Sequence, residues 1–148
     1  MSNPSKAKGT RAETKVARYL SNHGFPTERK ALAGSADKGD LRMKLSDGRE
    51  VTLEVKAGEQ TNNPSRSLMT KWKEQTLIEG ANAYTKAVLV IVKARRRFID
   101  SEVWIPNYTG SYGWSWPNWP DGMVGWTMVH LDDFVSMNLG YSMIPGED

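Results

Sequence analysis

Asp40-Leu41-Arg42-Met43-Lys44-Leu45-Ser46-Asp47-Gly48-Arg49-Glu50-Val51-Thr52-Leu53-Glu54-Val55-Lys56 is the stretch that decides the fold. Leu41, Met43 and Leu45 alternate with Arg42 and Lys44, so Asp40 falls on the polar side of a strand. Ser46-Asp47-Gly48-Arg49 reads as a turn, and alternation then resumes. Val51, Leu53 and Val55 are apolar, while Thr52, Glu54 and Lys56 point the other way. A hairpin over 40–57 therefore brings Asp40, Glu54 and Lys56 to one patch. Two carboxylates and an ammonium there can hold a hard cation and set a positive charge beside it, which is equipment for phosphodiester cleavage assisted by Mg²⁺.

Outward from the hairpin, the pattern predicts a helix from Thr10 to about Asn22, stopped near Gly24. Thr10 and Glu13 have capping-box spacing, and Val16, Tyr19, Leu20 and His23 form an apolar stripe. A strand is expected over Pro26–Leu32, followed by the loop Ala33-Gly34-Ser35-Ala36-Asp37-Lys38-Gly39. Residues 58–67 read as loop and Leu68 to about Ala83 as a second helix. The apolar run Ala87-Val88-Leu89-Val90-Ile91-Val92 has the texture of a strand buried on both faces. Val103–Ile105 is a further strand, Trp126–Val129 an edge strand and Leu131–Met137 a short helix. The order α-β-β-β-α-β predicts an α/β fold, a mixed sheet flanked by helices.

The 148 residues fit one domain, which at this size buries roughly 70% of its extended-chain surface. That domain spans 1–148, with a core over about 6–105 and a Trp-rich acidic extension over about 106–148. No long apolar run or signal-peptide pattern is present, so a soluble, unexported protein without membrane association is expected. The absence of cysteine excludes disulfides, thiolate zinc sites and thiol nucleophiles. With only His23 and His130 to supply imidazole, oxygen ligands are favoured for any metal.

The net charge of +3 hides an asymmetry: all 20 Lys and Arg lie in residues 1–97, and residues 98–148 carry acidic side chains alone. A basic body of this kind suits a polyanion such as nucleic acid. Trp104, Trp114, Trp116, Trp119 and Trp126 lack basic neighbours in sequence, so core packing or a dimer interface is expected of them rather than base stacking.

Taken singly, Glu13 reads best as a capping residue, Asp40 as a turn residue, and Glu54 with Lys56 as an exposed pair. In the order helix-Glu, Gly-Asp, Glu-x-Lys they are more specific, and the chain resembles the PD-(D/E)xK nuclease superfamily. Within it, the chain is most similar to the archaeal-type Holliday junction resolvases and their phage-borne relatives. The residues that carry the resemblance are Lys8-Gly9, Glu13, Gly24-Phe25, Arg29 or Lys30, Ala33-Gly34-Ser35, Asp40-Leu41, Glu54-Val55-Lys56 and Arg97-Phe98-Ile99. It spans about residues 6–105. The segment after 105 matches no pattern assigned to the family.

The resemblance implies a restriction-endonuclease-like αβββαβ core and a metal-dependent endonuclease that resolves four-way junctions by paired cuts leaving 5′-phosphates. Asp40, Glu54 and the Val55 carbonyl would ligate Mg²⁺, or Mn²⁺ in its place. Glu13 would complete the acidic cluster, and Lys56 would orient or activate the attacking water. Ser35 is either a contact to the scissile phosphate or a turn serine. Lys6, Lys8, Arg11, Arg29, Lys30 and Lys38 are candidate contacts to the DNA backbone. Arg95-Arg96-Arg97 could grip phosphate but reads first as a solvated charge run; some members of the superfamily use a Gln on this helix, but Gln75 reads first as a surface amide; His23 and His130 read as structural. Two symmetric cuts imply a homodimer on branched DNA, working in the prokaryotic cytoplasm, that of a phage-infected cell included. A flap or single-strand nickase, a restriction-like enzyme, and a DNA-binding accessory module without catalysis are the alternatives.

Overall fold

The computed structural model describes residues 4–30, 40–107 and 125–143, with the backbone alone for 4–8. Its elements are α1 (Pro4–Asn22), β1 (Thr27–Arg29), β2 (Leu41–Lys44), β3 (Glu50–Gly58), α2 (Arg66–Ala83), β4 (Lys86–Lys93), β5 (Glu102–Pro106), β6 (Trp126–His130) and α3 (Leu131–Met137). The strands form one sheet in the order β1-β2-β3-β4-β5-β6. Among the described strands, β3 and β4 run parallel, joined by the α2 crossover, and every other neighbouring pair is antiparallel. This is the mixed, helix-flanked α/β sheet expected from the element order.

The hairpin forms in the register that alternation demands, with Leu41 opposite Leu53 and Met43 opposite Val51. Gly48 takes φ 90°, and the turn closes through Gly48 N–H to the Leu45 carbonyl (3.0 Å). One sheet face receives α1 and α3: Val16, Leu20, Leu41, Leu53, Val90, Val103, Leu131 and Phe134 share one core. The other receives α2, where Trp72 packs on Leu89 and Ile91. α2 starts at Ser65, whose hydroxyl accepts the Leu68 N–H (3.1 Å), and lies close on the sheet at Gly80. A Cβ at Gly80 would stand 2.8 Å from the Ala87 Cβ.

Two expectations are corrected. α1 begins at Pro4 rather than Thr10, so Thr10 and Glu13 are interior and make no capping box. The Thr10 carbonyl instead accepts the Thr14 hydroxyl (2.9 Å). The first strand is shorter than the pattern, Thr27–Arg29, with its expected end beyond the described residues. At the C-terminal end, β6 extends the sheet beside β5, and α3 buries Leu131, Phe134 and Val135 in the core that α1 occupies. Among the described residues, no helix is long and apolar enough to cross a membrane.

Candidate active site

The sheet carries Asp40 to the head of β2, where its N–H donates to the Leu53 carbonyl (3.2 Å) and its carbonyl accepts the Lys30 N–H (2.9 Å). Its side chain reaches across the hairpin, and Oδ2 accepts the Val55 N–H (2.9 Å). Glu54 sits mid-strand in β3 with neighbours on both edges, so its carboxylate is only 3% exposed. Its Oε1 pairs with Lys56 Nζ at 3.1 Å. Its Oε2 is buried and has no hydrogen-bond partner. Lys56 Nζ also donates to Gln75 Oε1 on α2 (2.9 Å). Gln75 Nε2 in turn donates to Glu79 Oε1 (2.9 Å).

The electrostatics of this patch are unfavourable without a further cation. Burial pushes the Asp40 carboxyl up from 3.8 to about 8, and the neighbouring charges of Glu54 and Glu13 add to the rise. The Val55 N–H opposes it and does not prevent it. An orphaned buried carboxylate oxygen beside a second, reluctantly ionised carboxyl is a donor set short of one positive charge. Asp40 and Glu54 thus fit a hard divalent ion in ligand type and in charge.

Glu13 lies within electrostatic reach of Asp40, but its Oε2 is engaged by Arg29 Nε at 3.0 Å. It does not join Asp40 and Glu54: among the described residues no three acidic or imidazole side chains are grouped to hold a metal. The structure therefore brings Asp40, Glu54 and Lys56 together and leaves Glu13 beside them as an ion-pair partner of β1.

Against models of known protein families the chain has no match, and among curated proteins it has none. Among solved structures it is similar to Hjc of Archaeoglobus fulgidus. That protein is a Holliday junction resolvase from an archaeal hyperthermophile; the likeness has 20% identity and a TM-score of 0.46, over 64% of this chain and 74% of that one.

The basic candidates fall into two groups. Arg29 and Lys30 are exposed on β1 and its exit, next to Asp40 through the Lys30 N–H bond; Lys30 also pairs with Glu28 (3.2 Å). Arg11 is exposed on α1. Ser35, Lys38 and the side chains of Lys6 and Lys8 lie outside the described residues. In the Arg95–Arg97 run, Arg95 is near Glu59 (3.7 Å) and Arg97 pairs with Asp100 (2.9 Å), as a solvated run would.

Gln75 is not the surface amide expected of it but a half-buried partner of Lys56. Glu79 drew no attention in sequence, although Trp72, Thr76 and Glu79 lie at helical spacing and all three are buried. Trp104 and Trp126 pack beside Leu89 and Ile91, in line with core packing; Trp114, Trp116 and Trp119 lie outside the described residues. The basic neighbour missing in sequence comes from α2, with the Lys73 ammonium 4.7 Å from the Trp104 ring centre. His23 and His130 each bond a backbone carbonyl, at 2.7 and 3.0 Å.

Proposed function

We propose that this chain is a metal-dependent, structure-selective DNA endonuclease that resolves four-way junctions by paired hydrolytic cuts. One observation carries the nuclease reading. Asp40, Glu54 and Lys56 meet on one patch in which a carboxyl titrates near 8 and a buried carboxylate oxygen lacks a partner. Such a patch is costly to the fold and pays back only when a cation arrives. The junction, as substrate, is supported by the run of motifs from Lys8-Gly9 to Arg97-Phe98-Ile99.

Asp40, Glu54 and the Val55 carbonyl would hold Mg²⁺ or Mn²⁺, with Glu13 completing the acidic cluster through water or at a second ion. The ion, when bound, supplies charge neutralisation at the phosphate and makes water more acidic. The protein does the rest. Asp40 would hold the ion as a carboxylate, the proton that burial favours passing to solvent water. Lys56, held between Glu54 and Gln75, orients the attacking water and meets the negative charge that develops on the phosphoryl oxygens. Arg11, Arg29, Lys30 and Lys38, with Lys6 and Lys8, grip the phosphate backbone and read shape rather than sequence. Ser35 contacts the scissile phosphate. A homodimer supplies two such sites for two opposed strands.

The test is cleavage of an end-labelled immobile four-way junction, beside matched duplex and flap, in Mg²⁺ and in EDTA. Paired nicks in the junction alone, in Mg²⁺ alone, are expected. Equal cutting of duplex or flap would keep the chemistry and overturn the substrate. Binding without any cut would leave a DNA-binding module.

A further inference from the structure

Glu79 is a carboxylate in the wrong place for a simple helix. It lies on the side of α2 that faces the sheet, two turns after Trp72 and one after Thr76, and is 1% exposed. An aliphatic side chain would fill that position without the cost of burying a charge. One of its contacts leads into the site. Gln75 presents its amide nitrogen to Glu79 Oε1 and its amide oxygen to Lys56 Nζ, each at 2.9 Å.

A glutamine amide has a donor end and an acceptor end, and the two are nearly the same shape. Between an accepting carboxyl oxygen and a donating ammonium, only one orientation makes both bonds. Turned over, the amide would set oxygen against the Glu79 carboxylate and NH₂ against the Lys56 ammonium, with repulsion at both ends. Glu79 therefore decides which way Gln75 points, and so whether Lys56 has an acceptor on its α2 side.

That second acceptor matters because the first is contested. Lys56 also pairs with Glu54 (3.1 Å), one of the two carboxylates that would hold the cation. A divalent ion at Glu54 competes for the same oxygens and repels the ammonium. Gln75, whose amide nitrogen is held by the buried Glu79 carboxyl, is then the anchor that remains. We infer that Glu79 is a positioning residue of this site: it fixes the Gln75 amide, and through it the Lys56 ammonium, when a cation occupies the two carboxylates. The catalytic consequence rests on the nuclease reading above; the arrangement of the three side chains does not.

The experiment uses the full chain with Glu79→Gln, which keeps size and removes charge, with Gln75→Leu, which cuts the relay, and with both together. Single-turnover junction cleavage in Mg²⁺ is measured beside junction affinity in Ca²⁺ and thermal unfolding. Glu79→Gln is expected to lower the rate about tenfold, with affinity kept within about twofold, as loss of an interaction used in the transition state requires. Adding it to Gln75→Leu is expected to lower the rate no further, because both substitutions break one chain.

A second readout is independent of cleavage. The ¹⁵N-bound ammonium protons of Lys56 are expected to be protected from exchange in the Ca²⁺-loaded wild type and exposed in the Ca²⁺-loaded Glu79→Gln protein, because the Glu54 pair alone can hold the ammonium when no cation is bound. An unchanged rate with an unchanged Lys56 signal would overturn the inference. So would additive losses in the double variant, or rate and affinity falling together with the melting temperature. If the wild type cuts no DNA, the nuclease reading fails, and the positioning role is judged on the Lys56 signal alone.

Discussion

Replacing Asp40 by Asn should make the metal-free protein more stable while removing its response to Mg²⁺. The carboxyl titrates at 3.8 in an ordinary setting and at about 8 in the folded protein, through burial first and the charge of Glu54 second. Between those values the native state holds a proton that the unfolded chain has released. Stability therefore falls as pH rises from about 4 to about 8 and is level on either side. The rise from 3.8 to about 8, at about 1.36 kcal/mol for each tenfold change in proton affinity, sets a ceiling of roughly 6 kcal/mol. Partial exposure and local relaxation bring the expected cost to about 2 kcal/mol at pH 8. Asparagine carries no such cost. Its oxygen can keep the Val55 N–H bond, and its NH₂ can donate to the orphaned Glu54 Oε2. Urea unfolding in EDTA from pH 4 to pH 9 should show the wild type losing stability across that window and the Asp40→Asn protein staying flat and higher. In excess Mg²⁺ the order should reverse at pH 8, because only the wild type gains binding free energy. An Asp40→Asn protein less stable than wild type in EDTA at pH 8 would refute the claim that this carboxyl is held against its own ionisation.

Glu54→Gln should reduce junction cleavage by about a thousandfold or more while gel-shift affinity persists, since a ligand carboxylate is lost and the phosphate-binding cations are untouched. Lys56→Met leaves the Glu54 carboxylate buried without its ammonium; a loss of about 2–3 kcal/mol in urea unfolding is expected. Gly80→Ala places a methyl 2.8 Å from the Ala87 Cβ and 3.1 Å from the Thr85 carbonyl oxygen, so α2 must lift from β4, at about 1–3 kcal/mol by the same assay. Arg29→Ala should lower the slope of log affinity against log salt by about one for any DNA sequence, as loss of one phosphate contact does.

The hairpin and its three polar residues were legible because strand alternation has period two, and one register alone buries Leu41, Met43, Leu53 and Val55 together. β4 was legible from its unbroken apolar run, and α3 from Leu131, Phe134 and Val135 at helical spacing. What stayed hidden depends on long-range docking. The start of α1 was misplaced because Thr10 and Glu13 have the spacing of a cap that interior residues can also show; Pro4 at the first helical position was the competing signal. Gln75 and Glu79 were missed because composition does not say which flank of α2 meets β3. The amphipathic contrast of that helix is weak, and only the sheet behind it assigns a role to each flank. Lys73 beside Trp104 is the same case: 31 residues separate them in sequence, and the crossover brings them together.

The charges around β3 form one balance. Among the described residues, Lys56 pairs with Glu54 directly and reaches Glu79 through Gln75, while Asp40 lies beside Glu54, and burial strips these carboxyl groups of water. The fold meets the shortfall in three ways: a proton kept on Asp40, an oxygen left unpaired on Glu54, and an amide dipole inserted between Lys56 and Glu79. Each is a cost that an aliphatic side chain would avoid, and sheet packing alone gives no reason to retain them. Asp40 and Glu54 together would hold a divalent cation, whose charge would take the place of the Asp40 proton and offset the burial of Glu54. The cation would also weaken the hold of Glu54 on Lys56, which is when the third becomes necessary. On the reading proposed above, the same arrangement that makes the metal-free protein less stable would keep a cation and an ammonium side by side, as hydrolysis of a phosphodiester requires.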